Sequence, residues 1–480
     1  MLSKISIRSF WYAFFGLSIL FLFINLEFLP IAWFDEVMDL EPVGRWFLTG
    51  KHASIAWPMQ GAGEHSMVNL PMREAPHFIA MAFFGPSIWG LRFVFFILWL
   101  LAGTAFFKVL GQIDVAKPLQ FFALALVFLD KGTLEMMRGC RPEIIEMVFI
   151  YWGIYFILQH KFILSAACFI ALAWVHPAVW FISLGLGLYS FYYASRRAKA
   201  TIVGLLVLSI VGFSFFIQGN LTLFYKQFSM SAGAHTPHYG WLRRLVEHIS
   251  MRFVHYWRIE FWWLALFIGA HIWLFTRWQS QNSFWRALQL SIVATSLYWL
   301  FTLLPNYRYV VAINGLLLLQ FISAWPTWWP RLSQKGVQAL CLAIVMASFI
   351  PRAGIALWQR QERNPHLVLN WLNKELPSQN TLLIGESIGS YWSLQHPNTA
   401  FIHETQPQNA HFSDFKQVYF LSHNKSLPIL SGYPIQTNKP LLGIEIQGKT
   451  YAGLHLYKVQ SQVVFDSIVA KGMEVNYFYD

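Results

Sequence analysis

Apolar residues along this chain are gathered into long runs broken by short polar connections, rather than spread as narrow amphipathic stripes. Runs near residues 10 to 32, 88 to 110, 116 to 130, 142 to 158, 162 to 175, 177 to 193, 201 to 217, 259 to 276, 286 to 304, 309 to 325 and 336 to 353 predict about eleven transmembrane helices. Many approach the roughly 20 residues that cross the ~30 Å hydrocarbon layer, where only a helix or a closed barrel satisfies every backbone polar group. After Trp358 the pattern changes: Asn, Gln, Ser, Pro and His become frequent and no further run is long enough to cross. A helical pattern over Pro365–Leu376 is followed by strand-like Thr381–Ile384, Ala400–His403 and Gln417–Leu421. A hairpin of Leu442–Gln447 and Tyr451–Val459 is expected around Gly448-Lys449. The expected fold is therefore an all-α polytopic membrane domain over residues 1–358 and a small extracytoplasmic α/β domain over residues 359–480.

Composition agrees with this division. Of 480 residues 56% are hydrophobic and 12% charged, with a mean hydropathy of +0.44, about half the charge of a soluble domain. The run from 10 to 32 is too long for the apolar core of a signal peptide, so it reads as a retained helix. Lys161, then Arg196, Arg197 and Lys199, then Arg277 and Arg286, then Arg331 and Lys335 occupy connections on one side, with Lys4, Arg8 and Lys117. Positive charge marks the cytoplasmic side, which puts the N-terminus inside and the C-terminal domain outside a plasma (bacterial inner) membrane. The net charge of +12 thus reads as membrane topology, and no nucleic-acid-binding pattern accompanies it. Cys140, Cys168 and Cys341 are odd in number and far apart, which favours packing residues over a disulfide framework.

Three outer segments are too long for simple connectors: 33–87, 131–141 and 218–258. The first carries amphipathic stretches, Glu36–Leu48 and Ala75–Phe84, expected as short interfacial helices. It opens with Asp35 and Glu36, close to Asp39 and Glu41. Acids in that position stabilise a helix start; they also suit a general base toward a hydroxyl, or a metal ligand. In the second segment Arg138 and Arg141 flank Cys140 and precede Pro142 and Glu143. Pro142 and Glu143 fit a helix start, and the two arginines fit either lipid headgroups or a phosphorylated ligand. His176-Pro177 fits a helix-breaking corner or a cavity ligand. Lys226, His235, His238, Arg243, Arg244, Arg252 and Arg258 in the third segment fit an anionic partner or an interfacial helix. Arg308 and Tyr309 begin a late run, as an aromatic-belt anchor or a second basic site. Gly385 and Gly389 follow a strand without the GxGxxG spacing, and neither HExxH, GxSxG nor a Walker A loop occurs.

In order, Trp33-Phe34-Asp35-Glu36, Arg73-Glu74-Ala75-Pro76-His77, the stretch Phe84–Arg92 and Arg141-Pro142-Glu143 resemble one group of enzymes. These are the bacterial dolichyl-phosphate-mannose protein mannosyltransferase-like and aminoarabinose-transferase-like membrane glycosyltransferases, of GT-C fold; the resemblance spans roughly residues 1 to 330. It implies Asp35 as catalytic base beside Glu36, Arg141 and Glu143 as the polar pair of the second outer loop, and Arg308-Tyr309 near a lipid phosphate. His176 stands where relatives often have Lys. The donor implied is a polyprenyl-phosphate-linked sugar and the acceptor a hydroxyl of a glycan, lipid or protein, with phosphate contacts from Arg138, Arg141, His176, Arg308 and Tyr309. A divalent metal at Asp35 and Glu143 is compatible with the residues and not required by them. The competing expectations are a membrane transporter or lipid flippase, and a noncatalytic scaffold whose outer domain does the binding.

Overall fold

The computed structural model describes residues 7–27, 34–54, 64–234, 282–302, 308–324, 365–385, 387–403, 415–422 and 455–459, with isolated positions at 276 and between 339 and 354. Helices dominate. In chain order they are α1 (Ile7–Ile24), α2 (Phe34–Thr49), α3 (Pro71–Phe84), α4 (Ile88–Gln112), α5 (Lys117–Phe128), α6 (Lys131–Arg138), α7 (Pro142–Leu158), α8 (Phe162–Ala173) and α9 (Trp180–Tyr193). There follow α10 (Arg196–Phe216), α11 (Leu221–Ala234), α12 (Ser283–Thr302), α13 (Arg308–Ala324), α14 (Pro365–Glu375) and α15 (Ile388–Gln395). Four strands accompany the last two helices: β1 (Thr381–Gly385), β2 (Thr399–His403), β3 (Gln417–Ser422) and β4 (His455–Val459). The chain divides into two compact units, one of Met1–Ile24, Leu70–Arg73 and Val94–Ala353, the other of Asn25–Asn69, Glu74–Phe93 and Gly354–Asp480.

In the first unit the helix limits follow local chemistry. Asp130 caps α6 by accepting from the Thr133 N–H at 3.3 Å, and Ser195 caps α10 through Ala198 N–H at 3.3 Å. Pro142, with no N–H to satisfy, opens α7 after an extended Arg141. Helices α7, α8 and α9 pack in succession, and α12 lies on α9. Ser165 and Ser190, both buried, satisfy each other across α8 and α9 at 2.9 Å.

Of the apolar helices, α4 and α10 are long and apolar enough to cross a bilayer. Helices α5 and α8, at 12 residues each, rise roughly 18 Å, short of the ~30 Å layer, so they are not the full-length spans expected at 116 to 130 and 162 to 175. The expected run at 259 to 276, apart from residue 276, and most of that at 336 to 353 lie outside the described residues. The expected first span of residues 10 to 32 also differs: α1 stops at Ile24, Asn25–Glu27 form a turn, and a separate helix begins at Phe34. Polar Asn25 and Glu27 are the physical reason, because Asn25 is buried and the Leu26 and Glu27 carbonyls are taken by an arginine side chain instead of continuing the helix.

The second unit holds α2, most of α3, the first turns of α4, and the sheet with α14 and α15. The sheet order is β2-β1-β3-β4. Strand β1 runs parallel to β2 and β3, with Leu383 opposite Phe401 on one side and Tyr419 on the other. Strand β4 is antiparallel to β3. Helix α15 is the crossover from β1 to its parallel neighbour β2. Gly385 itself must be glycine: its φ is +142°, and a Cβ would meet the Leu421 carbonyl oxygen at 2.0 Å. The expected helix at 365–376 and the strands at 381–384, 400–403 and 417–421 are all present. Of the expected hairpin, 442–447 and 451–454 lie outside the described residues, and the rest of the second arm, His455–Val459, is a strand paired with β3.

Candidate functional site

Two buried polar groupings stand out, one in each unit. In the first unit the turn between α6 and α7 carries Arg138 in the last turn of α6, where its charge complements the helix dipole. Cys140 takes a left-handed φ of +51°, sending the chain into the extended Arg141 that precedes α7. Arg141 and Glu143 form a two-point pair, with Nε donating to Oε2 at 3.1 Å and Nη2 to Oε1 at 2.9 Å. One turn further along α7 lies Glu146, 1% exposed, whose Oε1 has no hydrogen-bond partner among the described residues. Arg141 and Arg73 are the positive charges that act on it.

His176 reaches the same carboxylate from the α8–α9 corner. It caps the single 3-10 turn Pro177–Val179, its Nδ1 accepting from the Ala178 N–H at 3.2 Å while Glu146 Oε1 stands 3.7 Å away. The backbone contact is the shorter of the two, so the cap orients the ring and holds it beside Glu146. The Met72 N–H donates to the Trp174 carbonyl at 3.1 Å, bringing the start of α3, and with it Arg73, to this corner. Arg73, Arg141, Glu143 and His176 are therefore gathered around one buried carboxylate, with Arg138 at the end of the preceding helix. Helix α13, whose first residues are Arg308 and Tyr309, packs on α6 and α7.

No protein-family model matches the chain, and no curated protein matches it either.

The second grouping surrounds Glu36. Its carboxylate is fully buried, held by Arg92 through Nη2 at 2.9 Å and Nε at 3.3 Å. The Tyr391 hydroxyl of α15 donates to Oε1 at 2.5 Å. Arg92, also fully buried, uses Nη1 to cross-link the Leu26 and Glu27 carbonyls at 3.0 and 3.2 Å. A helix-start acid and an active-site carboxylate beside Asp35 were the expectations for Glu36. In the structure its carboxylate is held internally by a guanidinium and a phenol. Asp35 precedes it on α2. The side chains of Asp35, Arg308 and Tyr309 lie outside the described residues.

Beyond Glu36 on the same unit, Asp39, Glu41, Glu74, His52 and His77 are buried as well. Glu41 pairs with Arg45. His52 Nε2 lies 2.9 Å from Glu74 Oε2, with the Phe78 ring stacked on it and the His65 ring 5.1 Å away. Burial works to lower the His52 pKa, but the contact with Glu74 and its charge, helped by the Ser66 backbone and by Glu41, outweigh burial and raise it above the ordinary value. Among the described residues no three His, Cys, Asp or Glu side chains come together as a metal-ligand group. Glu143, expected as one half of a metal pair, has both oxygens engaged by Arg141.

Sequence reasoning gave no role to Glu146, Arg73, Arg92 and Tyr391, although Arg73 and Arg92 stand in stretches that carry the resemblance. Glu146 carried a usable signal, an ionisable residue inside an apolar run and three positions after Glu143. Tyr391 carried none, since its partner lies 355 positions away.

Proposed function

We propose that the protein is an integral membrane glycosyltransferase of the GT-C type. It would move a sugar from a polyprenyl-phosphate carrier to an acceptor hydroxyl on the extracytoplasmic face, inverting the anomeric centre. The observation that carries the proposal is the pairing of a lipid-suited exterior with a buried charged corner. Helix α10 has Ile202 as its one buried residue and exposes Val203, Leu206, Leu208, Ile210 and Phe215, a surface far costlier in water than in lipid. The same unit buries Arg138, Arg141, Glu143 and Glu146 at a helix corner. Two buried arginines at one corner suit a phosphate leaving group, since each guanidinium offers planar paired donors to phosphate oxygens.

In this reading Asp35 is the general base. The acceptor hydroxyl gives its proton to the Asp35 carboxylate as its oxygen attacks the anomeric carbon, and the bond from that carbon to the carrier phosphate breaks with the electron pair leaving on phosphate. The charge that develops there is assigned to Arg138, Arg141, His176, Arg308 and Tyr309, the phosphate-contact residues that the sequence resemblance implies. The membrane topology of the proposal puts the N-terminus in the cytoplasm and the C-terminal domain outside.

A transporter or flippase draws on a different observation, the buried Glu146. An ionisable group on a transport path belongs near midplane, whereas Glu146 sits roughly 6 Å along α7 from Pro142, at the mouth of the helix. The transferase reading is tested by comparing lipids, glycans and proteins from cells carrying wild type or Asp35→Asn. One sugar is expected to disappear in the variant while the protein remains folded in the membrane. Unchanged glycosylation removes the proposed base, and counterflow of polyprenyl-phosphate sugar in sealed vesicles without any covalent product replaces transfer with transport.

A further inference from the structure

The C-terminal segment meets α2 at two places and the turn after α1 at a third. The Tyr391 hydroxyl reaches the buried Glu36 at 2.5 Å. His366 of α14 meets Glu27. Leu394 fills the space over Gly44 of α2, where a Cβ would come within 2.6 Å of Leu394 Cδ2. The first contact is the most consequential chemically. Glu36 occupies the first turn of α2, and its carboxylate is the shared end of a chain that runs from the Leu26 and Glu27 carbonyls through Arg92 to Glu36 and on to Tyr391. The links to Leu26, Glu36 and Tyr391 are buried, so each of these is shielded from competing water and costly to leave unmade, while that to Glu27 is part-buried. Fixing Glu36 fixes the backbone of its neighbour Asp35, because both residues belong to the same helical turn.

We propose that Tyr391 is a positioning residue through which the C-terminal domain sets the start of α2, and with it Asp35, for sugar transfer. This rests on the transferase reading above. The phenol is placed to hold Glu36, not to touch substrate. Its removal therefore slows turnover without weakening the hold on the carrier, whose phosphate contacts are assigned to other residues. The sequence separation also gives the domain a role that deletion alone would not reveal, since deletion would remove α14, α15 and the sheet together.

The test uses full-length protein in nanodiscs, with a membrane-lipid extract as the donor and acceptor pool and free polyprenyl phosphate as the product measured. Tyr391→Phe removes one oxygen. Gly44→Val pries α15 from α2 from the far end of that helix, without touching Glu36. Both are expected to lower turnover by roughly tenfold or more, the scale of a small misplacement of a catalytic group, with the half-saturating amount of extract and the affinity for added undecaprenyl phosphate unchanged. Both should also speed amide hydrogen exchange over residues 34–40 while β1 stays protected. Tyr419→Phe, a phenol bonded to Gln417 in the same sheet, is the control that should change none of these. If Tyr391→Phe alone loses β1 protection, Gly44→Val carries the comparison. If both lose it, the contact holds the fold rather than the helix start and the proposal is overturned. Wild-type turnover or unchanged exchange at 34–40 in the variants overturns it too, while an inactive Asp35→Asn leaves the transferase reading standing. An active Asp35→Asn removes that reading first.

Discussion

Arg92 grips Glu36 with two donors, at 2.9 and 3.3 Å, in surroundings where neither side chain is exposed to solvent. The pair joins the start of α4 to the start of α2, and the remaining guanidinium nitrogen pins the turn that ends α1. A buried pair of this kind is a weak source of net stability, yet removing one partner strands the other.

Arg92→Ala is therefore expected to cost about 3–5 kcal/mol, and Arg92→Lys a substantial part of that, because an ammonium cannot reproduce the planar fork. Glu36→Gln in the Arg92→Met background should lose far less than the sum of the single changes, since the stranded charge is gone. Thermal melting of the detergent-purified proteins checks this. Additive losses would mean that the two side chains contribute independently.

Gly315 of α13 faces Tyr151 of α7, and a Cβ there would stand 2.0 Å from the phenol oxygen. That oxygen is buried without a hydrogen-bond partner among the described residues. Gly315→Ala should accordingly destabilise by about 1–3 kcal/mol through overpacking. Tyr151→Phe should be close to neutral, because it removes an unsatisfied hydroxyl, and it should recover most of the loss when combined with Gly315→Ala. Melting temperatures of the two single variants and the double variant decide it, and absence of recovery would place the strain elsewhere on α13.

The Arg141 fork presents a conflict that the bare motif hides. Glu143 holds both Nε and Nη2, so the lipid phosphate of the proposed reaction would have to share or displace that carboxylate. Glu143→Gln keeps an acceptor of the same shape and removes its charge. Undecaprenyl phosphate titrated into nanodiscs should bind this variant several-fold more tightly, whereas Arg141→Gln should weaken binding by roughly tenfold. Looser binding in Glu143→Gln would assign Glu143 to holding Arg141 in place rather than to competing for it.

How far the sequence reaches differs from element to element. The limits of α7 were legible because Pro142 can start a helix and Gln159-His160-Lys161 ends the apolar run, and the helix found spans Pro142–Leu158. Strands β1 to β3 were legible from short apolar runs between turn residues, though nothing local dictates that β1 lies between β2 and β3. The end of α1 was misread because apolar residues continue past Asn25, and the turn there depends on Arg92, 66 positions from Leu26. The candidate residues divide in the same way. Arg141 and Glu143 are neighbours in the chain, and their pairing is local. Glu36 was visible as an acid near an apolar run, but its burial depends on Arg92 and Tyr391, and a one-dimensional pattern carries no trace of such long-range partners.

His52 supplies a pH test of the second unit. Its raised pKa means that the folded state binds the proton more tightly than the unfolded chain, where the ordinary value of 6.5 applies. The stabilisation is fully present below that value and is lost as pH rises through the elevated folded-state value. Wild-type protein should thus melt at progressively lower temperature as pH increases across this window, relative to His52→Gln, in which the dependence from this group is absent. Glu74→Gln should flatten the same curve, because the Glu74 carboxylate is the main partner that holds the proton on His52, 2.9 Å away. Melting curves taken from about pH 6 to pH 9 provide the check. A difference between wild type and His52→Gln that grows with pH would reverse the sign, and would mean that burial, not Glu74, controls the imidazole.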